Sequence, residues 1–240
     1  MSLCAALALP AAVHAQPAAP AAAPATAATL AVTDWPGLAK YQAANAALPP
    51  PAPGRPRVVF LGDSITELWA FLRPGFFADH GYVGRGTSGQ TTGQMVLRFH
   101  QDVGALHPEV VVILAGTNDF AGNTGPETDA QVLDNLEAMV EMAHAHRIKV
   151  VIGSVPPATR FSWRPESPAA PRIAAFDVRL KAWAQKRGLT YADYWAAMAL
   201  PNGEMTPADS RDSVHPNAAG YAVMEPIAVT AVDRALRARP

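Results

Sequence analysis

Arg57-Val58-Val59-Phe60-Leu61-Gly62-Asp63-Ser64-Ile65-Thr66 is the stretch on which the reading of this chain turns. Its first five residues are largely β-branched and apolar, as a strand buried on both faces should be. Residues 65–71 read as a short helix, which Pro74-Gly75 is expected to stop. Ser64 therefore falls where a strand becomes a helix, at the carboxyl end of a sheet. There the first N–H groups of the helix are unpaired and open to an anion. Taken alone, a serine at such a junction reads as an N-cap. Three stretches further along change that reading.

Working outward, residues 80–85 are short and Gly-rich and predict an edge strand, running into Gly86-Thr87-Ser88-Gly89-Gln90-Thr91-Thr92. Met95, Val96, Phe99 and Val103 then recur at helical spacing. Residues 110–114 are the clearest central strand and stop at Ala115-Gly116-Thr117-Asn118-Asp119. Residues 127–146 predict a long helix with Val132, Leu133, Leu136, Met139, Val140 and Ala143 as its core stripe, and residues 148–152 the next strand. A loop rich in proline and aromatics, residues 158–171, carries Phe161 and Trp163. Residues 173–186 predict a helix with Phe176, Leu180 and Trp183 facing in, residues 189–192 a last short strand, and residues 218–238 a closing helix. Alternating strands and helices, with strands that are continuous apolar runs, imply a parallel sheet covered by helices on both faces. Ligands of such sheets bind beyond the carboxyl ends of the strands. Ser64, Gly89 and Asn118 all fall there.

Toward the N-terminus, residues 1–15 read as the apolar and cleavage parts of a signal peptide ending in Val13-His14-Ala15. No Lys or Arg precedes Lys40, so a start upstream of Met1 or a trimmed leader is expected, and residues 1–15 also read as a plain disordered Ala/Pro tail. Residues 16–33 are almost entirely Ala, Pro and Thr and read as a linker. Residues 34–56 read as a helical arm on the outside of the domain, with Asp34 as N-cap and Trp35, Leu38 and Tyr41 on one face. Residues 57–240 read as the main domain. The chain is 240 residues long, half of them hydrophobic, which suits one ordinary domain. Nineteen basic and 20 acidic residues leave a net charge of −1, which argues against a nucleic-acid or anionic-membrane surface. The sole cysteine is Cys4, so a chain without its leader forms no disulfide and no thiolate metal site. No apolar run after the leader reaches the length of a membrane helix. Secretion or a periplasmic location follows from the leader.

A serine hydroxyl is a weak nucleophile and needs a base. His215 is the best candidate, three residues after Asp212, which is placed to accept from one ring nitrogen and leave the other for the serine proton. As an isolated Asp-x-x-His, the pair also reads as a surface pair. Pro216 suits the first turn of the closing helix. Attack on an ester creates an oxyanion, and the backbone N–H groups of Ser64 and Gly89 with the side-chain amide of Asn118 fit the donors it requires. Gly89 also reads as an ordinary turn glycine, and Asn118 as a cap of its own loop. Asp63 and Asp119 read as loop anchors. His80, His100 and His107 have no partner at ligand spacing, and His144 and His146 face different sides of a helix. No metal site and no cofactor is expected. Trp69, Phe71, Phe120, Phe161 and Trp163 are candidate walls of a cleft, Trp69 and Phe71 being equally suited to the core.

Gly62-Asp63-Ser64-Ile65, Gly86-Thr87-Ser88-Gly89-Gln90, Gly116-Thr117-Asn118-Asp119 and Asp212-Ser213-Val214-His215 together resemble, in order, the four sequence blocks of the SGNH-hydrolase, or GDSL esterase, family. Ile65 stands where the family's short name has Leu, and Thr66 excludes the Gly-x-Ser-x-Gly elbow of α/β-hydrolases. The resemblance implies a flavodoxin-like three-layer α/β/α sandwich. It implies Ser64 as nucleophile, His215 as base oriented by Asp212, and Ser64, Gly89 and Asn118 as the oxyanion hole. Phe120, Phe161 and Trp163 are the expected substrate contacts. The expected activity is hydrolysis of short acyl esters, acetyl on carbohydrate foremost, because no long apolar lid is visible. The same family holds lysophospholipases and thioesterases for longer chains. A non-catalytic carbohydrate-binding protein on this fold is the reading from another class.

Overall fold

Val58–Gly62 forms β1, the hub of the sheet, and every residue of it is buried, as its apolar run requires. The structure, a computed structural model, describes residues 34–167 and 169–238. The leader and the Ala/Pro linker read in residues 1–33 lie outside them. After β1 come α1 and α2, counted here from the domain's first strand: α1, Ser64–Leu72, and α2, Pro74–His80. Pro74-Gly75 does not simply end a helix; Pro74 opens the next one, where its missing N–H costs nothing. Tyr82–Gly86 is β2, followed by α3, Thr92–Asp102, whose start Thr91 and Gln94 close as a capping box. Val110–Leu114 is β3, Thr117–Ala121 the short α4, Asp129–Ala145 the long α5 and Lys149–Gly153 β4. Ala169–Lys186 is α6, Thr190–Ala192 β5, Tyr194–Met198 α7 and Ala218–Arg237 α8.

The five strands are all parallel in the order β2-β1-β3-β4-β5. This is the flavodoxin-like doubly wound order, which reverses at β1 and opens a crevice between β1 and β3. Val59, Leu61, Val111, Ile113 and Ile152 face one helical layer, with Met95 and Phe99 of α3, Leu136 and Met139 of α5 and Phe176 and Leu180 of α6. Val58, Phe60, Val110, Val112 and Val151 face the other, with Ile65 and Trp69 of α1, Phe76 and Phe77 of α2 and Tyr221, Met224 and Ala228 of α8. Alternation of buried side chains to opposite faces makes the three-layer sandwich. In the register, Gly62 stands level with Gly86 on one side and Leu114 on the other, so the three site-bearing loops leave the sheet at one height. A Cβ on Gly86 would lie 2.1 Å from the backbone N of Glu67, so glycine there lets α1 seat against the end of β2.

The arm is less helical than its sequence suggests: only Gln42–Ala46 is α-helical. Asp34 does accept from the Leu38 and Ala39 N–H groups, but Gly37 turns into the left-handed region at φ 71°, and a chain of turns results. Trp35 and Leu38 stay exposed, while the Tyr41 hydroxyl donates to the Gly86 carbonyl. Among the described residues no helix is long and apolar enough to cross a membrane.

Candidate active site

Ser64 is the first residue of α1, and Asp63, not Ser64, is the cap: its carboxylate accepts from the Ile65 N–H at 2.9 Å. That frees the Ser64 hydroxyl, whose Oγ lies 2.8 Å from His215 Nε2, across 151 residues of sequence. His215 Nδ1 in turn lies 2.8 Å from Asp212 Oδ2. The Asp212–His215 segment is a loop, not a helical turn. Asp212 Oδ1 accepts from the Val214 and His215 N–H groups at 3.1 and 2.8 Å, and Ser213 takes φ 70° to close the turn. Val214 is buried and anchors the loop in the core. Pro216 precedes the helix, and Asn217 is the cap of α8, accepting from Ala219 and Gly220. Partial burial pushes the Asp212 carboxyl up, but the hydrogen bonds from the His215 backbone and ring outweigh it and leave it below its ordinary value.

Gly89 adopts φ 79°, a conformation that glycine enters without penalty. Among the described residues neither the Ser64 nor the Gly89 backbone N–H has a hydrogen-bond acceptor. Asn118, at the start of α4, directs Nδ2 to Asp63 Oδ2 at 3.2 Å and to the Gln90 carbonyl at 3.0 Å. The amide nitrogen thus stands between the immediate neighbours of Ser64 and of Gly89. Asp119 binds the Thr92 N–H at 3.0 and 3.1 Å and its hydroxyl, pinning the start of α3. Burial pushes the Asp63 carboxyl up to about 6, against the Ile65 hydrogen bond, and the Asp119 carboxyl up to about 7, against its bonds to Thr92.

Beneath these loops lies a charge that the sequence reading passed over. Arg98 is wholly buried and donates to Gln90 Oε1 (2.5 Å), the Arg85 carbonyl (2.9 Å), the Gly62 carbonyl (2.8 Å) and Asp102 Oδ2 (3.0 Å). One side chain therefore ties the ends of β1 and β2 to the loop that carries Gly89. Its signal was available: Arg98 and Asp102 sit on the inward stripe with Met95 and Phe99. Gln90 Nε2 reaches on to the Pro36 carbonyl of the arm at 2.6 Å.

The three aromatic residues expected to contact substrate part company. Phe120 is 2% exposed and packs on Phe176 with the Arg172 guanidinium over its face, so it is a core residue. Phe161 is fully buried beneath Trp163. Trp163 is 40% exposed, with its ring 6.2 Å from that of His215. Trp69 stacks between Phe76 and Tyr221 in the core, and Phe71 faces solvent. Beside Asp212 opens a groove of about 890 Å³, lined by Arg160, Phe161, Glu204, Met205 and Arg211 among others. His100, without a partner at ligand spacing in the sequence, meets His146 in space, Nδ1 to Nε2 at 3.3 Å.

A serine hydroxyl bonded to an imidazole that is bonded to a carboxylate, with free backbone donors at the ends of parallel strands, is an arrangement suited to acyl transfer. The family model for GDSL-like lipases and acylhydrolases matches residues 60–223. The chain belongs to that family and is a carboxylic ester hydrolase. Among solved structures, a candidate acylhydrolase from Bacteroides fragilis is 44% identical, covering 85% of this chain and 99% of its own, with a TM-score of 0.83. A GDSL-like lipase from Bacteroides thetaiotaomicron is 41% identical over 84% of this chain and 100% of its own, with a TM-score of 0.82. The acetyl xylan esterase AlAXEase, 21% identical over 73% of this chain and 99% of its own, shares the fold with a TM-score of 0.61. Comparison with curated proteins gave no match.

Proposed function

We propose that this protein is a serine esterase that removes short acyl groups, acetyl foremost, from carbohydrate. The observation that carries the mechanism is the unbroken line Ser64 Oγ–His215–Asp212, with 2.8 Å at each step. His215 Nε2 takes the hydroxyl proton as Ser64 Oγ attacks the ester carbonyl, and Asp212 holds the ring and stabilises the imidazolium that forms. The carbonyl oxygen becomes an oxyanion, met by the N–H groups of Ser64 and Gly89 and by the Asn118 amide, whose longer hydrogen bond, 3.2 Å to Asp63 Oδ2, is the one to give way. Collapse breaks the ester C–O bond, and His215 returns its proton to the departing alcohol. Water then attacks the acyl-serine with His215 again as base, releasing the acid and restoring the hydroxyl.

For the substrate, the support is the groove beside Asp212 and the half-exposed Trp163 ring beside His215. Aromatic faces suit the apolar faces of sugar rings, and the groove's lining sets Arg160, Arg211 and Glu204, which can bond sugar hydroxyls, among Phe161, Pro165, Met205 and Pro207. The test is kcat/KM on p-nitrophenyl esters from acetyl to decanoyl, beside acetate release from acetylated glycans. Rates highest for acetyl and for the glycans are expected; rates climbing steadily to decanoyl would transfer the reading to the lysophospholipase or thioesterase type. We also read residues 1–15 as an export leader, residues 16–33 as a linker and residues 34–56 as an arm on the 57–240 domain.

A further inference from the structure

Five residues after Asn118, Asn123 joins parts of the site that come from three different loops. Its Nδ2 donates to the Gly89 carbonyl at 3.1 Å and to Asn118 Oδ1 at 2.8 Å. Its Oδ1 accepts from Trp163 Nε1 at 2.9 Å. Trp163 belongs to the loop after β4 and lies against the His215 ring. The side-chain amide of Asn123 is thus spent completely, one oxygen and two hydrogens, on Trp163, Gly89 and Asn118.

The chemistry of these groups gives the chain a direction. An indole N–H only donates, so the Asn123 oxygen must face Trp163 and its nitrogen must face the other way. That nitrogen needs an acceptor, so Asn118 must present its oxygen there. Asn118 Nδ2 is then left facing Asp63 Oδ2 and the Gln90 carbonyl, beside Ser64 and Gly89. The Gln90 carbonyl only accepts and Asp63 Oδ2 accepts here, so these two groups set the same orientation from the other end, and Asn123 secures it from the oxygen side. Turned over, Asn118 would point a carbonyl oxygen at a developing oxyanion, converting a donor into a repulsion.

We infer that Asn123 is a positioning residue for ester hydrolysis: together with the Gln90 carbonyl and Asp63 it holds the Asn118 amide nitrogen toward the oxyanion, it ties the Gly89 loop to Asn118, and Trp163 fixes Asn123 in turn. The inference rests on Asn118 being an oxyanion donor, as proposed above. It gives Trp163 a second task, linking the loop over the base to the donors on the opposite side of Ser64.

The test is a set of double-mutant cycles on p-nitrophenyl acetate, with kcat and KM measured per active site and folding followed by thermal melt. Loss of a whole oxyanion donor costs about 10²–10³ in kcat. Asn123→Asp should approach that figure with KM little changed. The introduced carboxylate keeps the Trp163 bond but cannot donate, and it draws the Asn118 nitrogen toward itself. Asn123→Ala, which merely releases the amide, should lose less. That order, the isosteric variant worse than the truncation, is the reverse of what a packing role would give. In an Asn118→Ala background both changes should lose most of their effect, keeping only the part that runs through the Gly89 carbonyl. If either Asn123 variant fails to fold, Trp163→Phe reads the same relay, with a several-fold loss in kcat that shrinks in the Asn118→Ala background. Equal losses in both backgrounds, or wild-type kcat in Asn123→Asp, would overturn the inference. Wild-type kcat in Asn118→Ala alone would be a different failure, removing the oxyanion assignment and this inference with it.

Discussion

Arg98→Met asks whether one buried charge holds the strand ends on which the site stands. The guanidinium and its partner Asp102 are both fully excluded from solvent. Burial lowers the Arg98 pKa, and Asp102 opposes that shift, so the charge is sustained by its partner. Methionine preserves length and apolar bulk but leaves Asp102 without its cation. It also leaves the Gly62 and Arg85 carbonyls and Gln90 Oε1 without that donor. Removing one member of a buried pair costs about 3–5 kcal/mol. Asp102 keeps its hydrogen bond from Asn45 Nδ2 at 2.7 Å, which favours the lower end of that range. At about 2–4 °C per kcal/mol for a domain of this size, Tm should fall by about 6–20 °C. Thermal and urea melts of Arg98→Met and of the double variant Arg98→Met/Asp102→Leu read the effect. The double variant should regain part of the loss, because no buried charge is left unpaired, while its kcat stays low because Gly62 and Gln90 remain untied. A fall in Tm below about 3 °C for the single variant would refute the reasoning.

Asn118→Ala should lower kcat by about 10²–10³, roughly 2.7–4 kcal/mol, with little change in KM, since the donor is needed only once the oxyanion exists. A folded variant with near wild-type kcat, measured per titrated active site, would leave the backbone donors to serve alone. Burial raises the carboxyls of Asp63, Asp119 and Asp177 to about 6, 7 and 8 from 3.8, so the folded chain keeps protons that the unfolded chain releases. Stability should therefore fall as pH rises from about 4 to 8, and a melting temperature that rises over that interval would contradict the burial argument. Export should leave a mature N-terminus at Gln16, after the Val13-His14-Ala15 motif; N-terminal sequencing of protein recovered outside the cytoplasm checks it, and an intact leader would count against it.

Where local chemistry decides structure, the sequence was readable. The buried strands are uninterrupted apolar runs, and β3 falls on residues 110–114 as expected. Residues 127–146 were read as one helix; α5 occupies Asp129–Ala145 within them, its start set by the Thr128–Gln131 capping box. Ser64 and Asn118 could be selected at strand ends, while Gly89, Asp212 and His215 stood out through the resemblance of their blocks to those of the GDSL family. What escaped was what distance in sequence conceals. Phe120 looks like a cleft residue in a loop motif, yet α6 brings Phe176 and Arg172 over it. Nothing near His100 announces His146, because the two meet only when α3 packs on α5. Asn123 lies in an unremarkable Gly-Asn-Thr-Gly turn, and its partners come from loops 34 and 40 residues away. Arg98 was the one omission with a local signal, a charge standing in an apolar stripe.

The central claim is that Ser64 is the nucleophile. Treating the full-length protein with a fluorophosphonate and mapping the adduct by peptide mass spectrometry tests it directly. The geometry predicts one adduct, on Ser64, with hydrolysis lost in step with labelling, and neither labelling nor turnover in a folded Ser64→Ala protein. An adduct on another serine, or turnover that survives in Ser64→Ala, would contradict it.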